Sequence, residues 1–217
     1  MNKTEKKEQK YNLATKEIIL PKTLETGFKF SCQFCGECCR GFEEGEVYLY
    51  LEDIKRLAKY CKQGLGEFAK EYLTIVEDNF YWKEPGALRG KKYRIPLLGF
   101  KFIGDDEHCE FLGDDNLCTI YEIAPFQCHC YPWWRIHLKH PSKLREYAKK
   151  CPGLKASFNN QGEYISPKKI LGWAKKEYKM EVNYFLKLRA NDFDIAKVYP
   201  FLPLEMVEEY LKKKENQ

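Results

Sequence analysis

The stretch CQFCGECC, residues 32–39, places four thiols within eight positions. Thiolates are preferred ligands of zinc, copper(I) and iron–sulfur clusters, and a C-x-x-C turn lets two sulfurs converge on one ion. Gly36 suits such a turn because glycine tolerates a positive φ. The side chains of adjacent residues diverge, so Cys38 and Cys39 favour two metals, a multinuclear cluster, or one ligand beside one bystander. This stretch therefore predicts a metal-stabilised core.

The composition favours an intracellular metal-binding protein. The 217 residues include 37 Lys and Arg against 32 Asp and Glu, and this excess of +5 gives no reason to expect a nucleic acid partner. Residues 1–10, MNKTEKKEQK, lack the apolar region of a secretory signal, and no apolar run of about 18 residues predicts a membrane span. We therefore expect a cytoplasmic protein. In a reducing compartment, clustered cysteines bind metal or react more often than they form disulfides, hyperthermophiles being the exception.

Hydrophobic patterns predict a mixture of strands and helices. Phe28 and Phe30 alternate into the cysteine stretch as a strand, and residues 47–51 alternate in the same way. The other predicted elements are a helix after Glu52 and Asp53, a helix from Glu67 to Glu77, two or three antiparallel strands from Phe80 to Ile103 with Pro96 at an edge or an irregularity, a helix from Ser142 to Lys150, a long helix capped by Ser166, and a last helix from Leu204 to about Lys214.

These elements predict an α+β fold. We expect a small, irregular, metal-stapled antiparallel core with packed helices and a helical C-terminal extension. The predicted boundaries are an N-terminal extension over residues 1–27, a cysteine-cluster domain over 28–153, and an extension over 154–217 that packs on the same domain. Metal binding should contribute directly to folding, because loops rich in glycine and acidic residues bury little apolar surface.

A second group of cysteines follows the predicted strands. Cys109 and Cys118 are nine positions apart, and the turn-forming residues 113–116 between them would bring both thiols to one face. Cys128 follows ten residues later, and Cys151 precedes Pro152 and Gly153. The chain thus carries two separated sets of thiols at ligand-like spacing.

The joint pattern resembles a known family. CxxCGxCC, then CxFLxxxxxCxIYxxxPxxCxxYP, then CPG is similar to the CxxCxxCC cysteine-cluster family, often called YkgJ-like and described as zinc- or iron-chelating. The similarity runs from about Phe30 to Gly153. The family tends to have two arginines in RPxxCRxYP, where this chain has Ala124 and His129, so a role for those arginines does not transfer. The resemblance implies these metal ligands: Cys32, Cys35, Cys38, Cys39, Cys109, Cys118, Cys128 and Cys151.

The metal itself stays open at this point. Eight thiolates could form two all-thiolate zinc sites, or one iron–sulfur cluster of the 4Fe–4S type with a structural zinc, or a single metal site with spare thiols. The first three cysteines match the bacterial ferredoxin run, but Phe42 occupies the position of its fourth cysteine. A related cluster in flagellin lysine methylases is thought to hold an iron–sulfur centre, which suggests that cofactor. We find no glycine-rich fingerprint for a methyl donor and no P-loop.

Several residues near the motif need no role in metal binding to explain their presence. Cys61 falls outside the motif on a predicted helix and is a bystander, whereas Cys130 is a bystander, an alternative ligand or a redox partner. His129 could ligate zinc, orient a thiolate or be solvated. Trp133 and Tyr131 could shield a cluster, but aromatic residues near metal sites most often pack the local core. Buried, inert thiols are the alternative for the motif cysteines, and they would not explain the ligand spacing.

Three functions follow from these predictions. The first is a cysteine-rich metal-binding protein with no assigned activity, whose partners are metal ions. The second is an iron–sulfur oxidoreductase or an accessory subunit of a protein-modifying enzyme. The third is a zinc-stabilised module that binds protein or RNA. A brown protein with iron and acid-labile sulfide would favour the cluster hypotheses, and a colourless protein with two zincs would favour a structural role.

Overall fold

The computed structural model describes residues 18–43, 46–104, 107–140 and 142–216 and divides into two compact units. Residues 1–17 of the predicted N-terminal extension lie outside the described residues. The predicted boundaries at residues 27 and 153 stay a prediction. The cysteine unit comprises the described residues of Met1–Gly45, Phe102–Glu122 and Phe126–Met180, and the sheet unit comprises those of Glu46–Lys101, Ile123–Pro125 and Glu181–Gln217.

The architecture is α+β with a helical C-terminal region, as the sequence predicts. The helices are α1 (Leu51–Tyr60), α2 (Leu65–Tyr72), α3 (Phe126–His129), α4 (Arg135–Lys139), α5 (Ser142–Tyr147), α6 (Pro152–Phe158), α7 (Pro167–Ala190), α8 (Ile195–Val198) and α9 (Leu204–Glu215). The strands are β1 (Phe28–Lys29), β2 (Tyr48–Leu49), β3 (Leu73–Trp82), β4 (Lys91–Phe100), β5 (Phe102–Ile103), β6 (His108–Cys109) and β7 (Tyr164–Ile165). Short 3-10 helices cover Lys22–Leu24, Glu37–Glu43 and Tyr121–Ile123.

A long hairpin dominates the sheet unit. β3 and β4 pair antiparallel over ten residues each, and β2 adds a short third strand opposite Leu98 and Gly99 of β4. Since β2 is so short, β4 has only β3 beside it at Pro96 within the described residues. Proline lacks the N–H that a second neighbour would need, so this local edge position agrees with the prediction.

The helix predicted from Glu67 to Glu77 is wrong over its second half. α2 ends at Tyr72, and β3 begins at once. Residues 74–76 are Thr, Ile and Val, whose branched Cβ atoms favour a strand. They pair with residues 97–99 of β4. Long-range pairing therefore overrides the helical spacing of the apolar residues in this segment.

The cysteine unit has little regular sheet and is organised around a hydrophobic cluster. β1 pairs with β7 and β5 with β6 over two residues each. The rings of Phe28 and Phe30 lie edge-on to Trp133, with centroids 5.4 and 6.1 Å away. This cluster anchors the strand before Cys32 and the helix after Cys151. Its buried members are Leu24, Phe30, Trp133, Leu138, Leu144, Cys151, Leu154, Ile165, Ile170 and Ala174.

The predicted helices of this unit are found with small changes at their ends. α5 begins at Ser142 as predicted and ends at Tyr147 rather than Lys150. Ser166 caps α7 as predicted, because its Oγ accepts a hydrogen bond from the Lys169 N–H at 3.3 Å. In the described part of the chain, none of the helices has both the length and the apolar character that crossing a bilayer requires.

His137 is a buried imidazole in the cysteine unit. The residue is 0% exposed, and its Nδ1 donates a hydrogen bond to the Pro132 carbonyl oxygen at 2.5 Å. Nε2 has no hydrogen-bond partner among the described residues. Burial lowers the pKa of His137 from 6.5 to about 4; the bond to Pro132 opposes this shift and the charge of Lys143 adds to it. The imidazole is therefore neutral in the folded protein near neutral pH.

We expect His137 to make the cysteine unit sensitive to acid. Its folded pKa lies below the unfolded value, so the unfolded state binds more protons and stability falls as pH drops from 6.5 to about 4. The loss should reach about 3 kcal/mol at the lower end of this window. Urea unfolding at both ends of the window, in wild type, His137→Gln and the exposed-histidine control His140→Gln, measures this contribution. A His137→Gln protein with the same pH dependence as wild type would contradict the prediction.

Candidate metal centre

The eight motif cysteines all belong to the cysteine unit, whereas Cys61 lies in the sheet unit. The eight cysteines differ in their exposure to solvent. Cys32 and Cys128 are exposed, and Cys109 and Cys151 are buried. The thiols of intermediate exposure are Cys35, Cys38, Cys39 and Cys118.

The 3-10 helix Glu37–Glu43 turns Cys38 and Cys39 in different directions. Such a helix has three residues per turn, so neighbouring side chains point about 120° apart. Gly36, just before the helix, has a φ of +74°, as the predicted turn requires. The Cys39 N–H donates to the Gly36 carbonyl at 2.8 Å and closes this turn. The adjacent thiols therefore leave one helix from different faces.

A tight loop brings Cys109 and Cys118 together, as their spacing predicts. Leu112 forms an antiparallel bridge with Cys118, and its N–H donates to the Cys109 carbonyl at 2.8 Å. Asn116 completes the turn with a φ of +63°. Its side-chain oxygen accepts a hydrogen bond from Arg40 at 2.8 Å. This bond holds the loop against the 3-10 helix that carries Cys38 and Cys39.

Four cysteines form the first thiol group: Cys39, Cys109, Cys118 and Cys128. The thiols of Cys39 and Cys118 are close enough for each to shift the pKa of the other. Cys109 is close enough to Cys39 and to Cys118 for their charges to interact. The charges of the same three residues and of Cys130 act on Cys128, which α3 supplies. Each member thus neighbours other members of the group.

The other four motif cysteines form the second thiol group: Cys32, Cys35, Cys38 and Cys151. The charges of Cys35 and Cys151 act on Cys32. Cys151, Cys38 and Cys35 are all near enough to Tyr131 for their charges to act on the pKa of its hydroxyl. Tyr131 is therefore a shared neighbour of this group. The groups adjoin each other, because Cys38 acts on the pKa of Cys39 and the charges of Cys32, Cys38 and Cys118 all act on Tyr121.

Gly153 allows two segments of the second thiol group to approach. Cys151 caps α6, and its Sγ accepts a hydrogen bond from the Leu154 N–H at 3.5 Å. A Cβ at Gly153 would lie only 2.7 Å from the carbonyl oxygen of Ser31. Glycine at this position therefore lets the start of α6 pack against the backbone that leads into Cys32.

Replacing Gly153 with alanine should separate these segments. The added methyl group would displace the Ser31 backbone, which we expect to lower the free energy of unfolding by about 1–3 kcal/mol and to reduce the amount of bound metal. Gly172→Ala is the matched control, since nothing lies within 4 Å of its Cβ position and alanine is favoured in a helix. Thermal melting and elemental analysis of both variants measure the effect. Equal metal content and melting in Gly153→Ala and wild type would contradict this role.

The thiols of the first group must lose protons before they bind a metal. Burial raises the pKa of Cys109 to about 11, and crowding by protein atoms raises that of Cys128 although this residue reaches the surface. The contact with Cys39 and burial raise the pKa of Cys118. For Cys39, the contact with Cys118 lowers the pKa, but Cys38 and burial raise it more. Metal binding therefore releases protons, and apparent affinity should increase with pH.

The donor atoms fit zinc or iron better than the hard cations. All eight donors are sulfur, which suits zinc and iron–sulfur clusters, whereas magnesium and calcium take oxygen. Over the described ranges, no three Cys, His, Asp or Glu side chains converge closely enough to enclose an ion. The thiols of Cys38 and Cys118 are near enough to Cys39 to act on its pKa. An ion held by three or more of these side chains would therefore require them to move closer together.

The structure also places the residues whose roles the sequence leaves open. Cys130 is 0% exposed, and its Sγ lies 3.5 Å from the Gln127 carbonyl oxygen, so it is a buried neighbour of the site. His129 is exposed and packs its ring edge-on against Tyr121, with centroids 5.9 Å apart. The charge of Cys130 acts on Cys128, so this ninth thiol lies near the first thiol group.

Two tyrosines lie near the thiols: Tyr131, which the sequence suggests as a shield for a cluster or as part of the core, and Tyr121, which has no role in the sequence-based prediction. Tyr131 lies near Cys151, and burial raises the pKa of its hydroxyl, which therefore keeps its proton near neutral pH. Tyr121 packs against Phe34, with ring centroids 5.5 Å apart, and the charge of Cys32 acts on it. Both tyrosines belong to the quoted pattern CxIYxxxPxxCxxYP. Their place in that pattern is the signal that could have drawn attention to them.

The fold and the thiols define a cysteine-rich α+β domain whose donor set suits zinc or iron. A family model described as "CxxCxxCC: Putative zinc- or iron-chelating domain" matches residues 31–155, more than half of the 217 residues. The chain belongs to this family, which confirms the resemblance in its sequence. No solved structure matches the chain.

Proposed function

We propose that this protein binds zinc or an iron–sulfur cluster through the thiolates of its eight motif cysteines. The observation that supports this most is the grouping of the thiols. Segments around residues 35, 115, 128 and 151 are far apart in sequence, yet every motif cysteine lies in the cysteine unit and neighbours another motif cysteine. Inert core cysteines have no reason to gather in this way.

The bound metal would first of all stabilise the fold of the cysteine unit. The cysteine unit pairs its strands over two residues each, so turns rather than an extended sheet connect its loops. A metal held by thiolates from several loops would cross-link them and add its binding free energy to folding. When bound, an iron–sulfur cluster would also supply one-electron redox chemistry. A reducing cytoplasm would keep the ligands available as thiols.

This chain's own residues would orient and protect the metal-binding thiolates. The Leu154 N–H donates a hydrogen bond to the Cys151 sulfur at 3.5 Å, and Tyr131 lies near the same thiol. Hydrogen bonds to ligand atoms fix their orientation and tune the metal. Phe30 packs edge-on against Tyr131, with centroids 6.0 Å apart, which holds the tyrosine ring in place.

Anaerobic purification followed by elemental analysis and an assay for acid-labile sulfide tests the proposal. Stoichiometric zinc without sulfide would support the zinc form, and iron with equal sulfide would support the iron–sulfur form. The matched comparison is Cys61→Ser, which removes a thiol of the sheet unit and should keep the full metal content. Only traces of metal in wild type, with all thiols open to alkylation, would contradict the proposed function.

A further inference from the structure

We propose that one face of helix α7 binds the phosphodiester backbone of a nucleic acid. This inference goes beyond the proposed function and does not depend on a bound metal. The face, which we call the lysine stripe, consists of five exposed side chains of the cysteine unit: Lys168, Lys169, Lys175, Lys176 and Lys179.

The spacing of the five lysines places them on one side of the helix. Successive residues of an α-helix are rotated by about 100°, so the lysine stripe falls within an arc of about 120°. Gly172 lies at the centre of this arc and is exposed, and no described residue comes within 4 Å of its Cβ position. Ile170 and Ala174, on the opposite side of the helix, are buried in the hydrophobic cluster. The core therefore holds the helix in place and leaves the lysine stripe facing solvent.

Within the described residues, no ion pair joins the lysine stripe to a carboxylate. None of its members has an acidic residue three or four positions away in the sequence. Glu177 lies on the other side of α7, where its carboxylate accepts a hydrogen bond from the Arg135 backbone N–H at 2.6 Å. Lys55 and Lys213 on other helices, by contrast, each pair with a glutamate three or four positions away. The charges of the lysine stripe are therefore available to an external partner.

The lysine stripe also brings like charges together. Lys179 follows Lys175 by four positions and Lys176 by three, so three ammonium groups occupy neighbouring places on the helix surface. Like charges at these spacings destabilise a helix. A bound polyanion would replace this repulsion with attraction, so the arrangement favours a polyanion as the partner.

The charges of the chain are unevenly distributed along the sequence. Residues 102–134 contain seven Asp and Glu and no Lys or Arg, whereas residues 135–180 contain twelve Lys and Arg and three Asp and Glu. The net charge of the whole chain, +5, therefore hides a strongly basic segment that includes the lysine stripe. A local concentration of positive charge attracts polyanions even where the total charge is small.

The linear shape of the lysine stripe favours a nucleic acid over a membrane. Its first and last lysines are about 17 Å apart along the helix axis, and five charges over this length approach the spacing of one charge per about 3.4 Å along a nucleic acid strand. A helix that lies in a membrane surface buries an apolar face in the lipid, but the apolar face of α7 lies in the protein core. Because lysines contact phosphates as point charges, we expect binding with little sequence preference.

Binding to oligonucleotides at several salt concentrations tests the proposal. Fluorescence anisotropy with labelled single-stranded RNA of about 20 nucleotides and duplex DNA of about 20 base pairs measures the affinity of wild type between about 50 and 200 mM NaCl. If all five lysines contact phosphates, the logarithm of the affinity should fall by about 3.5 for the single strand, and about 4.5 for the duplex, per tenfold increase in salt.

Three results with the wild-type protein would overturn the proposal. The first is an absence of binding to both oligonucleotides at the lowest salt concentration. The second is an affinity that does not depend on salt. The third is binding to vesicles that contain phosphatidylserine without binding to either oligonucleotide, which would show that the partner is a membrane. These wild-type measurements test the proposal even where a variant fails to fold.

Removal of charge shows whether the lysine stripe is the binding surface. Lys168→Gln/Lys175→Gln/Lys179→Gln removes three of its five charges, and glutamine has a helix propensity close to that of lysine. We expect weaker binding and a salt dependence for single-stranded RNA that is smaller by about 2 in the same logarithmic slope. The melting temperature should not fall, because the substitutions separate no ion pair within the described residues.

A matched control removes three lysines that already have carboxylate partners. Lys55→Gln/Lys197→Gln/Lys213→Gln changes the net charge by the same amount and should bind both oligonucleotides like wild type. Equal losses of affinity in the two triple variants would show that only net charge matters and would overturn the assignment. Wild-type affinity and salt dependence in the lysine-stripe variant would overturn it as well.

Discussion

Removal of the metal is expected to destabilise the cysteine unit and leave the sheet unit folded. A ligand present at 1,000 times its dissociation constant stabilises the state that binds it by about 4 kcal/mol per site, and structural zinc can supply about 10 kcal/mol or more in small domains. The cysteine unit, with its two-residue strand pairs, should therefore lose at least about 4 kcal/mol on chelation.

The sheet unit should resist chelation because its stability comes from other contacts. Its hairpin pairs over ten residues in each strand, and Phe185 packs against Phe80 and Tyr93 with ring centroids 4.8 and 5.0 Å away. Hydrogen exchange with and without a chelator, followed by mass spectrometry of peptides from each unit, measures the two responses separately. Unchanged protection around Cys109 to Cys128 after complete metal removal would contradict the prediction.

Replacing one motif cysteine is expected to have the second large effect on metal content and stability. Cys35→Ser and Cys118→Ser each remove a sulfur from one thiol group, and we expect both variants to show lower metal content, lower melting temperature and lower solubility. Loss of an outer-shell partner alone reduces metal affinity by roughly 10- to 100-fold, and loss of a ligand should exceed this.

Cys61→Ser is the matched control for these variants, since Cys61 ends α1 in the sheet unit. Elemental analysis after purification and a thermal melt of all three proteins make the comparison. Full metal loading and unchanged melting in both Cys35→Ser and Cys118→Ser would show that these cysteines are not ligands.

Local sequence signals predict much of the fold and fail where pairing between distant segments decides. The cap at Ser166 and the start of α5 at Ser142 follow from side chains within a few residues. The change from α2 to β3 after Tyr72 does not, because helical spacing and β-branched residues overlap there. Pairing with β4, whose residues lie about twenty or more positions away, selects the strand.

In the candidate site, too, local sequence predicts some features and contacts between distant segments decide the others. Ligand-like spacing identifies the eight cysteines, and the turn between Cys109 and Cys118 is visible in its glycine, aspartate and asparagine residues. The spacing of cysteines along the sequence cannot assign Cys38 and Cys39 to the two thiol groups. Their neighbours in the fold come from loops 70 or more residues away. The proximity of Tyr131 to Cys151 likewise comes from the tertiary fold, and an aromatic residue near a metal site is most often part of the core.

Metal and sulfide content of the wild-type protein, purified without exposure to air, tests the central claim most directly. The same preparation of Cys118→Ser provides the internal comparison. We predict zinc, or iron with acid-labile sulfide, in stoichiometric amounts in wild type and a clear reduction in the variant. A wild-type protein that is folded and stable with only traces of metal would contradict the account.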